Sequence, residues 1–259
     1  MVGSYTSQIQ AGLGIEETRV LLELWQEGMH WSELFQAALQ SGRFPRMSAR
    51  RLQNMVKEGF APRYLRDDGA PARLLNRLKG ILVAQEWEQM LFIYSCRANL
   101  ILADFVREVY WPAYAAGRQA LTGDDARDFV TRANQEGKTA APWAESTILR
   151  VASYLTGSCA DFGLLERGSR SERRIVPFRI ERRVAALLAY DLHWSGLGDN
   201  RIVHHEDWML FGMESPDVVE ELKRLAVREI VIVQHGGGVT HIGWLHPSSE
   251  ELLHVIARI

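Results

Sequence analysis

The stretch from Gly80 to Phe105 constrains this chain more than any other. It is the most apolar segment, yet Glu86, Glu88, Arg97 and Asp104 interrupt it. A membrane-spanning helix needs about 20 largely apolar residues without such charges. The stretch therefore reads as a buried core helix or a pair of helices, around which a globular core must form. The N-terminus, Met1-Val2-Gly3-Ser4-Tyr5, lacks the basic-then-apolar pattern of a secretory signal. A cytoplasmic protein is the expectation. Cys96 and Cys159 are too few for a disulfide framework or a four-thiolate zinc site, and read as two buried thiols.

On either side of that segment, apolar residues recur at helical spacing. Residues 15–28 carry Val20, Leu21, Leu24 and Trp25 on one face, and residues 31–41 carry Leu34, Phe35, Ala38 and Leu39. Ser48 can N-cap a helix over 48–58 with the stripe Leu52, Met55 and Val56. Pro71 opens another helix, and Trp111-Pro112 ends the helical run. Residues 118–140 read as a linker plus a helix from Asp124 to Gln135. Helix 144–158, capped by Ser146, is followed by Asp161-Phe162-Gly163-Leu164-Leu165, an arginine-rich turn, and Ile175-Val176-Pro177-Phe178. Helix, strand, basic loop and strand in that order resemble a winged-helix unit, with Pro177 marking the last strand as an edge. Beyond it lie helix 180–193 and a helix capped by Ser215 with Pro216 at its first position. A hairpin around Gly236-Gly237-Gly238 follows, then a last helix opened by Ser248 and Glu251. The expected fold is mainly α. A helical-bundle N-terminal domain over 1–117 precedes a winged-helix-like unit over 118–182 and a C-terminal helical unit with a β-hairpin over 183–259.

The chain's formal net charge of −2 hides strong segregation. Residues 41–80 hold ten basic and three acidic residues, a balance of +7. Residues 166–183 hold seven Arg and three Glu, a balance of +4. Residues 205–222 hold six acids and no Lys or Arg, and residues 1–40 hold five Glu and one Arg. Such asymmetry points to a polyanion-facing side.

Catalytic patterns nearly occur, and each fails. Gly137-Lys138-Thr139 resembles the end of a phosphate-binding loop, but Arg132 stands where the first glycine should. His205-Glu206 begins a zinc-protease pattern, but Met209 replaces the second histidine, and His204, His205 and Asp207 read as packing or surface residues. His235-Gly236-Gly237-Gly238 resembles an oxyanion loop without a nucleophile elbow, since neither flank of Ser195 has the required glycine spacing. Gly196-Leu197-Gly198 leads to Arg201 rather than a third glycine. Asp217, Glu221 and Lys223 share one helix, whereas a two-metal clamp draws carboxylates from separate elements. The expectation is a non-enzyme with no cofactor and no metal.

What remains is basic surface. Arg50, Arg51, Asn54 and Lys57 share one face of helix 48–58, with Arg63, Arg73 and Arg77 close by in sequence. Arginine outnumbers lysine 8 to 2 between residues 41 and 80, and its planar fork suits phosphate and guanine. The competing reading is a solvated face paired with acids from residues 16–33. In the winged-helix-like unit, Thr147, Arg150 and Tyr154 face outward, as groove-entering residues do, and Arg170, Arg173 and Arg174 form a wing. Trp87, Phe92, Tyr94 and Phe105 fall in core patterns rather than on a stacking platform.

Several stretches together carry a resemblance: Ser48-Ala49-Arg50-Arg51-Leu52, Leu102-Ala103-Asp104-Phe105-Val106, Glu145-Ser146-Thr147-Ile148-Leu149-Arg150, Asp161-Phe162-Gly163-Leu164-Leu165, Ala189-Tyr190-Asp191-Leu192-His193 and Asp207-Trp208-Met209-Leu210-Phe211-Gly212. In this order the chain resembles the BrxA family of bacterial BREX phage-exclusion systems. The resemblance implies a non-catalytic accessory protein that binds double-stranded DNA and works beside a methyltransferase, an ATPase and a phosphatase-like protein. It also implies a mainly helical fold with winged-helix-like elements. An adaptor that binds partner subunits, through the acidic stretch 205–222 and the hairpin, and an RNA-binding helical protein are the alternatives.

Overall fold

The computed structural model describes residues 5–7, 13–168 and 172–258. Among them the chain is mainly helical, with two small two-stranded antiparallel sheets. Its contacts gather into two units, one of Met1–Asn76 with Leu91–Pro177 and one of Arg77–Met90 with Phe178–Ile259.

The first unit opens with α1 (Ile15–Leu24) and α2 (Trp31–Gln40), which bury Leu21, Leu22, Leu34 and Ala38. Helix α1 stops at Leu24, short of the expected residue 28. Helix α3 (Ala49–Asn54) starts where expected, with the Ser48 hydroxyl accepting the Arg51 N–H at 3.3 Å. It runs through a π-helical turn, Met55–Phe60, into α4 (Ala61–Tyr64). The same device recurs where α7 (Leu100–Phe105) continues through the π turn Val106–Tyr110 into α8 (Trp111–Ala115). Each wide turn precedes a proline, Pro62 or Pro112, at the start of the next α-helical segment. A proline has no N–H for the usual bond and its ring clashes with the previous turn, and a π turn absorbs both effects. Pro112 therefore does not end the helical run as expected.

Helices α5 (Ala70–Leu78) and α6 (Ala84–Ala98) carry the chain between the units, and α7 follows α6 after a break at Asn99. The Asn99 side chain donates to the Ser95 carbonyl at 2.9 Å while its own carbonyl accepts the Leu102 N–H at 2.9 Å. Trp87, Phe92, Tyr94 and Phe105 are all buried, as core residues should be. No helix among the described residues is long and apolar enough to cross a membrane.

Residues 118–140 do more than link. Strand β1 (Ala120–Thr122) precedes α9 (Gly123–Gln135), whose first turn is closed by Thr122 and Asp125 in a capping box. Helix α10 (Glu145–Asp161) packs on α9 through Ile148, Val151, Ala152 and Leu155 against Ala126, Phe129, Val130 and Ala133, all buried. Full burial of each larger aliphatic here is worth about 1.5–3 kcal/mol. The residue before α10 is Ala144, which offers no capping side chain, so Ser146 lies inside the first turn rather than capping it. Strand β2 (Glu172–Arg174) pairs antiparallel with β1, and Ile175 bridges Leu165. The last strand thus lies earlier than the expected 175–178. Its pairing partner β1 sits before α9, too far upstream for local patterning to reveal.

The second unit contains α11 (Arg182–Trp194), α12 (Asp199–Val203), a 3₁₀ turn at Glu206–Phe211 and α13 (Ser215–Ala226). Here Glu214, not Ser215, precedes the helix, and its N–H donates to Asp217 at 3.0 Å. Strands β3 (Val231–Gly236) and β4 (Val239–Trp244) form the expected hairpin. Its turn places Gly237 and Gly238 at φ +58° and +78°, the left-handed pair that matches strand twist. Helix α14 (Ser249–Ile256) closes the chain, with the Ser248 hydroxyl accepting the Glu251 N–H. Tyr190 ties α11 to the hairpin: its hydroxyl donates to the Ile230 carbonyl at 2.8 Å and accepts from the Leu245 and His246 N–H groups at 3.2 Å each.

Candidate nucleic-acid interface

On α3, burial of Leu52, Met55 and Val56 turns the opposite face outward. Arg50, Arg51 and Asn54 are exposed there, and neither arginine has an ion-pair partner among the described residues. Lys57 is half exposed, with its ammonium 3.3 Å from Glu58 and 5.6 Å over the Trp31 ring.

The rest of the basic run is placed otherwise. Arg63 is only 5% exposed, so it is no phosphate contact. The helix does not stop near residue 58, and the π turn keeps Met55, Gly59 and Arg63 in line on the buried side. Burial lowers the Arg63 pKa, an effect partly offset by Tyr64 and Cys96. Arg73 pairs with Glu27 at 2.7 Å and donates to the Asp68 carbonyl at 3.1 Å, and Arg43 pairs with Glu23 at 2.6 Å. For these two arginines, acids of the 16–33 segment are the partners. Arg77 is exposed, belongs to the second unit, and donates to the Ser249 hydroxyl at 3.2 Å.

On α10 the exposed stripe is Ser146, Leu149, Arg150 and Ser153, with Thr147 and Tyr154 half-buried at its edge. Arg150 has no ion-pair partner among the described residues. Ser146, expected as a cap, instead joins Ser153 on this stripe, as helical spacing from Arg150 dictates. The Arg127–Glu145 pair, at 2.7 Å, ties the first turn of α10 to α9. Beside the Leu165–Ile175 bridge, the Glu166 N–H donates to the Arg174 carbonyl at 2.9 Å. Arg174 points outward and reaches Glu166 at 3.6 Å. Arg173, next along the strand, is half-buried and donates to the Glu166 carbonyl at 3.3 Å. Strand alternation sends the two to opposite faces, so of this pair only Arg174 points outward. Arg170 lies outside the described residues.

These surfaces define a mainly helical protein with an arginine-bearing helix and an exposed helix beside a basic turn. The BrxA family model matches residues 4–191, well over half of the chain, and the chain belongs to the BrxA family. Membership makes it a component of a BREX phage-defence system. No curated protein matches it.

Proposed function

We propose that the chain is a non-catalytic, double-stranded-DNA-binding accessory component of its defence system. It would act in the cytoplasm beside the methyltransferase, ATPase and phosphatase-like subunits. The observation that carries this reading is the order α8, β1, α9, α10, bridge, basic turn, β2, with β2 paired to β1 and continued by Ile175 against Leu165. That is the order of a winged helix, in which α10 is the element that enters a major groove and the turn is the wing. Arg150 and Arg174 then stand where phosphates pass, and Arg50 and Arg51 add a second basic helix face. A non-catalytic role fits the thiols, because both cysteines are buried and burial pushes the Cys159 thiol up to about 12, far from a reactive thiolate.

A gel-shift titration of the full chain with labelled duplex DNA tests the reading. Binding at low salt that weakens at moderate salt is expected, and no binding at low salt overturns it. Duplex RNA that outcompetes DNA of equal length would move the assignment to RNA. An adaptor role is favoured by one observation, the exposed apolar side chains Ile232 and Val239 on the hairpin, at 51% and 60% exposure. Co-purification with a partner subunit that survives high salt and nuclease would support it.

A further inference from the structure

The second unit holds a cavity of about 660 Å³ that the DNA-binding reading does not use. Its volume falls in the usual range for small-ligand sites, roughly 300–1,000 Å³. Four arginines line it: Arg179 from the segment before α11, Arg182 and Arg183 from the first turn of α11, and Arg224 from α13. Two nearly buried carboxylates aim two of them. Glu86 lies 3.5 Å from Arg183, whose guanidinium also donates to the Ile81 carbonyl at 3.0 Å. Glu86 is itself held by the Val83 N–H at 2.9 Å. Glu221 accepts from Arg224 at 2.7 Å. The third carboxylate of the wall, Glu181, accepts from Gln85 at 3.0 Å. Arg179 and Arg182 are exposed and have no ion-pair partner among the described residues. The N-terminus of α11 faces the same wall, and no side chain caps it. Its first-turn N–H groups add to the positive field.

We infer that this cavity binds the phosphate of a small phosphorylated ligand, of nucleotide size. Guanidinium forks offer paired N–H groups that match phosphate oxygens. Fixed carboxylates hold Arg183 and Arg224 in place, so two oriented forks and two unpaired ones converge on one space. The site is a concave, half-open cavity of small-ligand volume, which suits a small molecule, and the duplex-binding arm of the test below separates it from a DNA surface.

Calorimetric titration of the full chain with ADP, inorganic pyrophosphate and adenosine tests this. ADP or pyrophosphate should bind saturably and adenosine should not. ADP binding tighter than pyrophosphate identifies a nucleotide source, and equal binding a bare phosphate group. The double variant Arg179→Ala/Arg182→Ala changes only exposed, unpaired side chains, and should weaken ADP or pyrophosphate at least about tenfold with an unchanged melting temperature. No saturable binding of either compound, or binding unchanged in the variant, overturns the assignment. So does loss of duplex DNA binding in the variant without any response to ADP, which would make these arginines part of a DNA surface. Duplex binding that survives in the variant keeps this test separate from that of the first unit.

Discussion

Salt dependence distinguishes the cations the sequence offers from those the structure leaves available. Each phosphate neutralised contributes about −0.9 to the slope of log Kobs against log salt. Taken at face value, the candidate residues include ten cations, which would give a slope near −9 and a loss of about 10⁵ in affinity between 50 and 200 mM salt. The structure withdraws several. Arg63 is buried, Arg73 holds Glu27, Arg77 belongs to the second unit and donates to Ser249, Arg173 turns inward to the Glu166 carbonyl, and Arg170 lies outside the described residues. Counting Arg50, Arg51, Lys57, Arg150 and Arg174 leaves a slope near −4.5 and a loss of about 500-fold over the same range. Removing two cations in Arg50→Ala/Arg51→Ala should bring the slope to about −2.7 without loss of stability, because neither side chain touches the buried stripe. Fluorescence anisotropy of a labelled duplex across that salt range measures all of these. Arg63→Met should leave the wild-type slope unchanged. A wild-type slope near −9, or one that Arg50→Ala/Arg51→Ala does not alter, would refute the assignment of these cations.

Three further outcomes test the fold around the sites. Asp125 takes both Arg118 guanidinium N–H groups at 2.8 and 2.7 Å as well as the Thr122 cap, and the Arg118 partner, with the Thr122 bonds, lowers its pKa to about 2. The stability this supplies is complete above about pH 4 and is lost as pH falls toward 2. With Arg118 nearly half exposed, Asp125→Asn should cost only about 1–2 kcal/mol at pH 7 and nothing near pH 2, as read from urea midpoints. Tyr190→Phe removes one donor and leaves two backbone N–H groups without their acceptor, which should lower stability by about 2–3 kcal/mol and speed hydrogen exchange at Leu245 and His246. Gly69→Ala places a methyl 2.5 Å from the buried Trp25 ring at φ +76°, so a loss of about 2–4 kcal/mol is expected in thermal melts, and a loss under about 1 kcal/mol would contradict the packing described.

The sequence alone determined what rests on local chemistry. Apolar spacing marked Leu52, Met55 and Val56 as buried and thereby turned Arg50 and Arg51 outward. Paired glycines specified the β3–β4 turn, and the charges within Gly80–Phe105 excluded a spanning helix in favour of core. Tertiary structure decided whatever depended on distant partners. Strand β2 exists where it does because β1, some fifty residues earlier, offers it an edge. Arg73 is occupied because α1 ends beside it and brings Glu27 within 2.7 Å. Arg63 is buried because a π turn carries the helix past Pro62 and shifts its phase, which a uniform helical period cannot anticipate. The cavity of the second unit depends on Glu86 and Glu221, more than a hundred residues apart, each fixing an arginine on one wall. A charge on a chain is a property of one residue, whereas its availability is set by what the fold packs against it.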